Sequence, residues 1–197
     1  MSRTVTALRA GRPGRVAVEL DGVPWRTLPL EAVLRAGLRA GTPLERPEAR
    51  TLARELRRLH ALDVAGRALR YRDRSSDELD GRLRARGVSA GERARALETL
   101  ASAGLVDDER FATSRARALA DRGSGDELIR CDLEERGLAA EAIASALASI
   151  EPERERVERI VGRRGATPKT ARYLGSRGFS EESLEGVVAG DLGDSIG

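Results

Sequence analysis

Apolar residues recur at helical spacing over most of the chain, and most of these stretches are bounded by helix start and stop signals. Ser75 and Glu78 have the Ser-x-x-Glu spacing of an N-terminal capping box, and apolar residues follow at i, i+4. Gly87 and Gly104 each precede an apolar residue, an ending that the left-handed conformation of glycine permits. Asp107 is placed to cap the next helix. The stretch from 74 to 111 therefore predicts short helices joined by tight turns.

The same pattern returns twice further along the chain. An offset of 50 residues places Gly137 on Gly87, and a further 41 residues place Gly178 on Gly137. Ser124 heads the predicted capping box of the second copy, and Thr167 caps the start of the third. The sequence thus predicts a mainly α protein built from tandem three-helix repeats in an elongated, curved array.

The first thirty residues have a different pattern. Apolar and polar positions alternate over residues 16–20, and Asp21-Gly22 is a strong hairpin-turn signal. Pro24 places the returning strand at a sheet edge or a bulge, and residues 5–9 form a candidate third strand. We expect a small N-terminal antiparallel β ribbon that packs on helices, with Trp25 as an anchor.

These patterns divide the chain into five segments. Helical spacing continues without a break from residue 47 to residue 72, so the lead-in runs into the first repeat. The predicted segments are a lead-in with a β-hairpin and helices at 1–59, repeat 1 at 60–106, repeat 2 at 107–150, repeat 3 at 151–190, and a flexible tail at 191–197.

Composition supports a helical protein with wet outer faces. Charged residues make up 34% of the chain and aromatic residues only 3%, so the helices must pack on aliphatic side chains. Apolar runs are too short for a membrane span. A single cysteine, Cys131, excludes an internal disulfide and favours a reducing cytoplasm. No spare apolar stripe is evident, which favours a monomer.

Catalytic chemistry is poorly supported by the sequence. His60 is the only histidine, so a histidine-based triad or metal cluster is excluded. The stretch 162–170 resembles a phosphate-binding loop, but proline stands where glycine must precede the lysine. Asp107 and Asp108 could hold a metal, but helix capping already explains them. We therefore predict no enzyme activity, no cofactor and no metal.

Arginines are the candidate binding residues. The first sixty residues hold 12 arginines against 6 acidic side chains. Each arginine could lie on a solvated helix face or contact a phosphate or an acidic partner, and the sequence leaves both open. The candidates for partner or phosphate contact are Arg70, Arg72, Arg74, Arg82 and Arg86, and the secondary candidates for DNA contact are Arg3, Arg9, Arg12 and Arg15.

Four stretches resemble the RecX family of bacterial regulators of the recombinase RecA. They are residues 71–79, 86–88, 104–112 and 176–180, of which Asp-Asp-Glu-Arg-Phe-Ala at 107–112 is the most specific. The third repeat departs most from the family pattern. The family-motif residues, with structural roles expected, are Ser75, Glu78, Leu79, Gly87, Gly104, Asp107, Asp108, Arg110, Phe111, Gly137, Gly178 and Phe179.

The resemblance implies a binding protein. Members of this family have tandem three-helix repeats, bind RecA along the groove of its filament on DNA, and restrain ATP hydrolysis, strand exchange and filament growth. Such proteins act in recombination and DNA repair, and some also bind single- or double-stranded DNA. The alternative is a sequence-independent DNA-binding protein, because three-helix units with glycine turns overlap in pattern with helix-turn-helix modules.

Overall fold

A computed structural model describes residues 3–189, with side chains through Glu185. The predicted tail lies outside these residues. Four antiparallel strands near the N-terminus form one sheet, in which hydrogen-bonded neighbours follow the order third, second, first, fourth, and a helix separates the third strand from the fourth in the chain. The strands are β1 (Arg3–Ala10), β2 (Arg15–Leu20), β3 (Val23–Pro29) and β4 (Pro43–Leu44).

The predicted hairpin is confirmed. Asp21 and Gly22 both have positive φ, at 50° and 78°, as a two-residue turn between β2 and β3 requires. Pro24 lies on the edge strand β3, where the pairing register shifts after Val18. β4 was not predicted, because a strand of two residues carries no alternating pattern. It pairs with β1 at the sheet's other edge.

Two helices pack on this sheet. The first, α1 (Leu30–Arg35), is short and leads into Gly37 at φ 68°. The second, α2 (Arg46–Leu69), has proline in its first turn and runs unbroken through residue 60, as its spacing indicates. Trp25 is partly buried and packs against the edge of this core. The buried core comprises Val5, Val16, Val18, Leu20, Leu28, Ala32, Val33, Leu38 and Leu52.

Five helices follow α2 as far as residue 148. In α5 to α7, small alanines on one helix allow close approach of the aliphatic side chains on the next two, and Phe111 packs at the edge of this core. The helices are α3 (Ser76–Ala85), α4 (Ala90–Ser102), α5 (Asp108–Asp121), α6 (Asp126–Glu134) and α7 (Ala140–Ala148). The shared core of α5 to α7 is Ala112, Ala116, Ala120, Ile129, Leu133, Leu138, Ile143 and Ala146.

The last three helices form a smaller core. Val157, Leu174 and Phe179 are its buried residues, and Tyr173 and Leu184 pack against them. Phe179 is one of the few aromatic residues of the chain, and its ring gives this small core a large buried apolar surface. The helices are α8 (Glu153–Arg164), α9 (Pro168–Ser176) and α10 (Glu181–Ala189).

The chain divides into two structural units. The first contains the residues up to Tyr71 together with Arg82–Thr99, which include the sheet, α1 and α2. The second contains Arg72–Gly81 and the chain from Leu100 onward, which includes α5 to α10. The division passes through α3.

Most of the predicted helix caps are present. Ser75 accepts a hydrogen bond from the Glu78 backbone N–H at 3.1 Å, and Asp107 accepts one from Arg110 N–H at 2.9 Å. Thr167 caps α9 in the same way. The prediction for Ser124 was wrong, because α6 begins at Asp126 and Ser124 is buried away from that role.

None of the helices in the described part of the chain is long and apolar enough to cross a membrane.

Candidate partner-binding surface

The start of α3 makes a set of contacts that we call the first joint. Ser75 Oγ donates to the carbonyl oxygen of Arg136 at 2.6 Å, in the turn between α6 and α7. The backbone N–H of Ser76 donates to Asp108 Oδ1 at 2.8 Å, at the start of α5. Asp108 therefore serves the N-terminus of a neighbouring helix. The contacts link residues 75–78 to the three-helix unit of α5 to α7.

The start of α6 makes an equivalent set, the second joint. The Gly125 N–H donates to the carbonyl of Arg177 at 2.8 Å, and the Glu127 N–H donates to that of Gly178 at 3.1 Å, in the turn between α9 and α10. The Asp126 N–H donates to Glu153 Oε1 at 2.7 Å. The free N–H groups of α6 are thus satisfied by α8 and the α9–α10 turn, which explains why Ser124 is not needed as a cap.

Glycine is required in both joints because the backbones approach closely. A Cβ atom on Gly137 would lie 2.5 Å from Asp77 Cβ, and one on Gly178 would lie 2.6 Å from the Leu128 nitrogen. Gly87 has the same positive φ but open space around it. The three glycines occupy equivalent positions of the sequence repeat but differ in their surroundings. Gly137 and Gly178 are also contact points between repeats, whereas Gly87 is not.

The first joint carries a chain of arginines and carboxylates. Arg72 binds Glu78 through two hydrogen bonds of 2.9 and 2.8 Å, and Arg136 Nη1 donates to the same carboxylate at 2.6 Å. Arg136 Nε also donates to Asp132 at 2.8 Å. Arg115 then binds Asp132 through hydrogen bonds of 2.9 and 2.7 Å. Two parallel hydrogen bonds between an arginine and a carboxylate fix the geometry of both side chains.

These contacts shift the acidity of both carboxyl groups. The hydrogen bond from Arg115 and that from Arg136 hold the pKa of Asp132 well below its usual range. Partial burial raises the pKa of Glu78, but the hydrogen bond from Arg72 and the neighbouring positive charges outweigh it and bring the pKa below its usual value. Both groups are therefore carboxylates at neutral pH, and neither is suited to proton transfer.

Two of the five primary candidates belong to this joint. Arg74 is 7% exposed and lies 3.8 Å from Glu78, so its side chain faces the interior. Arg72 is committed to the same carboxylate. Their guanidinium groups hold the chain together at the start of α3, and a partner could reach only the exposed part of Arg72.

The other three primary candidates are in the first unit. Arg70 follows α2, Arg82 lies on α3 and Arg86 directly follows α3. All three are exposed, and none has an ion-pair partner among residues 3–185. Arg82 lies in the last turn of α3 and Arg86 comes four residues later, just past the end of the helix.

The four N-terminal candidates are all exposed in the sheet region. Arg9 pairs with Glu19 across β1 and β2 at 2.7 Å. Arg15 lies 3.5 Å from the carbonyl oxygen of Thr27. Arg3 and Arg12 have no acidic partner within the described residues, so they are the freest cations of this group.

The family-motif residues have identifiable structural contacts. Leu79 is fully buried, and Phe179 lies beneath the guanidinium of Arg156 at 5.6 Å from its ring centre. Arg110 donates to the carbonyl of Gly104 at 3.1 Å and so closes the turn before α5. These contacts account for the motif without any reaction.

Sequence reasoning missed the residues that complete the joints. Arg115, Asp132 and Arg136 complete the first joint, and Arg156 and Arg177 complete the second. Only the i, i+4 spacing of Asp132 and Arg136 is a local signal. Arg177 donates to Ser124 Oγ and to the Gly123 carbonyl, both at 3.1 Å, from more than fifty residues away.

The described residues contain no group of three or more histidine, cysteine or acidic side chains that could hold a metal ion. Asp107 and Asp108 accept helix N–H bonds. Three-helix units linked by a repeated contact define a helical-repeat protein with a small N-terminal sheet.

Comparison with known proteins identifies the family. Residues 107–147 match the sequence model described as RecX, second three-helix domain. The chain is 36% identical over 136 residues to regulatory protein RecX of Chromohalobacter salexigens, covering 64% of this chain and 90% of that one. It is 35% identical over 150 residues to regulatory protein RecX of Mycolicibacterium smegmatis, covering 67% and 79%.

Solved structures show the same fold. A crystal structure of regulatory protein RecX matches with a TM-score of 0.80 at 21% identity, over 95% of this chain and 99% of that chain. RecX from Lactobacillus salivarius matches with a TM-score of 0.60 at 19% identity, over 69% and 97%. The chain belongs to the RecX family of regulatory proteins.

Proposed function

We propose that this protein binds the filament of a RecA-type recombinase on DNA and restrains its ATP hydrolysis, strand exchange and growth. Membership of the RecX family is the observation that carries the proposal. The repeated joint supports it, because it sets three-helix units one after another in the second structural unit. A partner that is itself a repeating filament offers repeated contacts, and linked weak contacts gain avidity.

The surface proposed for recombinase contact is the exposed arginine group of the first unit, Arg70, Arg82 and Arg86. Their guanidinium groups have no acidic partner within residues 3–185, so carboxylates of a partner can supply it. Arg72 and Arg74 are assigned to the first joint instead.

In the proposed mechanism the protein occupies a binding surface of the recombinase filament and carries out no chemical step itself. The carboxylates of the first joint are bound by arginines and stay ionised, so they offer no general acid. Binding would hold recombinase subunits in one arrangement, and a subunit that cannot move cannot complete its ATP cycle. We propose that the protein acts as a monomer, in the cytoplasm where the recombinase works.

A second candidate function is direct, sequence-independent DNA binding by the N-terminal sheet. Arg3 and Arg12 are exposed and have no acidic partner in the described part of the chain, and Arg12 lies in the loop between β1 and β2. Exposed arginines on a loop can contact the DNA backbone without reading its sequence.

The experiment is a titration of RecA ATPase on single-stranded DNA. We expect stoichiometric protein to lower the ATPase rate several-fold. Replacing Arg82 and Arg86 with glutamine should raise the protein concentration needed for half-maximal inhibition of the ATPase by about tenfold. This factor corresponds to about 1.4 kcal/mol of binding free energy.

The matched control replaces Arg117 and Arg154, two exposed arginines of the second unit, with glutamine and should act like wild type. An unchanged ATPase rate at stoichiometric excess of wild-type protein would reject the proposed function. Equal potency of the two double variants would reject only the assigned surface.

A further inference from the structure

The second unit contains an open groove between the end of α5, the last turns of α8 and α9, and four arginines are among its lining residues. Nothing in the proposed function uses it. Its floor contains Ile160 and Tyr173, which are half-buried. The charged residues that line it are Asp121, Arg122, Arg159, Arg163 and Arg164.

The positive charge of the groove is mostly uncompensated. Arg159 pairs with Glu151 at 2.9 Å. Arg163 and Arg164 have no ion-pair partner within residues 3–185, and Arg122 makes its hydrogen bond, of 2.9 Å, to the Ala118 carbonyl. Among the described residues, three arginines without an ion-pair partner, Arg122, Arg163 and Arg164, therefore share the groove with one aspartate, Asp121. The C-terminal ends of α5 and α8 add about half a negative charge each, which leaves the groove positive.

One of these arginines is held in place by an aromatic ring. The guanidinium of Arg164 lies 4.0 Å from the ring centre of Tyr173, a distance at which a cation interacts favourably with the ring face. Arg164 also lines the groove, and none of its N–H groups has a hydrogen-bond partner within the described residues. A flat ligand can stack on a guanidinium face, and an anion can bind at its edge.

The row of cations continues along α9. Lys169 is one turn before Tyr173 and is exposed, which places it on the same helix face. It is the only lysine of the chain. The groove therefore has cations from the end of α5 and from α8, and Lys169 lies outside its lining, one turn before Tyr173.

We infer that this groove binds the phosphodiester backbone of single-stranded nucleic acid, with Arg122 and Arg163 on phosphates and Arg164 beneath a base. Arginine forms two parallel hydrogen bonds to a phosphate. A peptide surface brings charges of both signs, whereas a nucleic acid strand brings regularly repeated negative charge and flat rings. A cationic groove with a stacked guanidinium fits the second ligand better.

The test is fluorescence anisotropy of a labelled oligothymidylate with the full chain, without RecA, at several salt concentrations. Replacing Arg122 and Arg163 with glutamine should weaken binding at least tenfold. The slope of log K against log salt should fall by about 1.4, since each lost phosphate contact on a single strand removes about 0.7.

The matched control again replaces Arg117 and Arg154, which also lie on α5 and α8 but outside the groove. It should bind within about twofold of wild type. Equal binding by wild type and the groove variant, or equal weakening in both double variants, would overturn the inference. So would a glutamate decapeptide that binds the groove as tightly as the oligonucleotide. Because RecA is absent, the result is independent of the proposed function.

Discussion

Replacing Gly125 with alanine is expected to lower the free energy of unfolding by about 3 kcal/mol, at the upper end of the usual cost of overpacking. A Cβ atom at this position would lie 2.1 Å from the carbonyl oxygen of Gly178 and 2.3 Å from the nitrogen of Phe179. Both are backbone atoms, so no side chain can turn aside. The second joint must open, and the hydrogen bonds donated by Gly125 and Glu127 are lost with it.

Gly125 is a clean test because its backbone is ordinary. Its φ is −79° and its ψ 170°, which alanine adopts without strain. The cost therefore reports the close approach and not a left-handed conformation. Urea unfolding followed by circular dichroism measures the loss, and hydrogen exchange of the Glu127 amide shows whether the joint has opened.

The matched control for this substitution is Gly162 to alanine. Gly162 lies inside α8 with no atom within 4 Å of the added Cβ, so the change should stabilise the protein by about 0.5 to 1 kcal/mol. If the Gly125 variant were as stable as the wild type, or if both variants shifted alike, the account of the second joint would be wrong.

Replacing Arg156 with methionine should cost about 3 kcal/mol of stability, because it breaks a buried ion pair from one side. Arg156 is 1% exposed, pairs with Asp126, and donates hydrogen bonds to the carbonyls of Ser124 and Glu151. Burial raises the pKa of Asp126, and Arg156 opposes that rise. Methionine keeps the length of the side chain but leaves these acceptors without a donor.

The control for Arg156 is two residues away on the same helix. Arg154 is 81% exposed and pairs with an exposed Glu158, so its replacement with methionine should change stability by no more than about 0.5 kcal/mol. A second substitution, Asp126→Asn, in the Arg156→Met variant should recover about 1 kcal/mol of the lost stability, because it removes the uncompensated charge. Equal urea midpoints for the Arg154 and Arg156 variants would contradict the prediction.

The local signals of the sequence predicted most of the fold. Asp21-Gly22 predicted the hairpin, and Asp107 and Thr167 predicted helix starts, because turns and caps depend on neighbouring residues. The prediction of Ser124 as a cap was wrong because it also relied on neighbouring residues alone. It has the spacing of a cap, but the N–H groups at the start of α6 donate to groups 27 to 52 residues away, among them Glu153.

The candidate surface was less predictable than the fold. The arginines of residues 70–86 look alike in sequence, but Arg74 is buried against Glu78 while Arg82 is exposed. The Glu78 carboxylate also binds Arg136, which lies 58 residues away and has no local relation to it. Likewise, the groove beside α8 combines Arg122 with arginines some forty residues later. Local patterns contain no information about such pairs.

The central claim is that the protein contacts the recombinase itself, and site-specific photo-cross-linking on the assembled filament tests it most directly. A cross-linking amino acid would be placed at position 86 and, as the matched control, at position 117, in full-length protein added to RecA on single-stranded DNA. The account predicts cross-links from position 86 to RecA and few from position 117. Cross-links from position 86 to DNA alone, or none at stoichiometric excess, would contradict it.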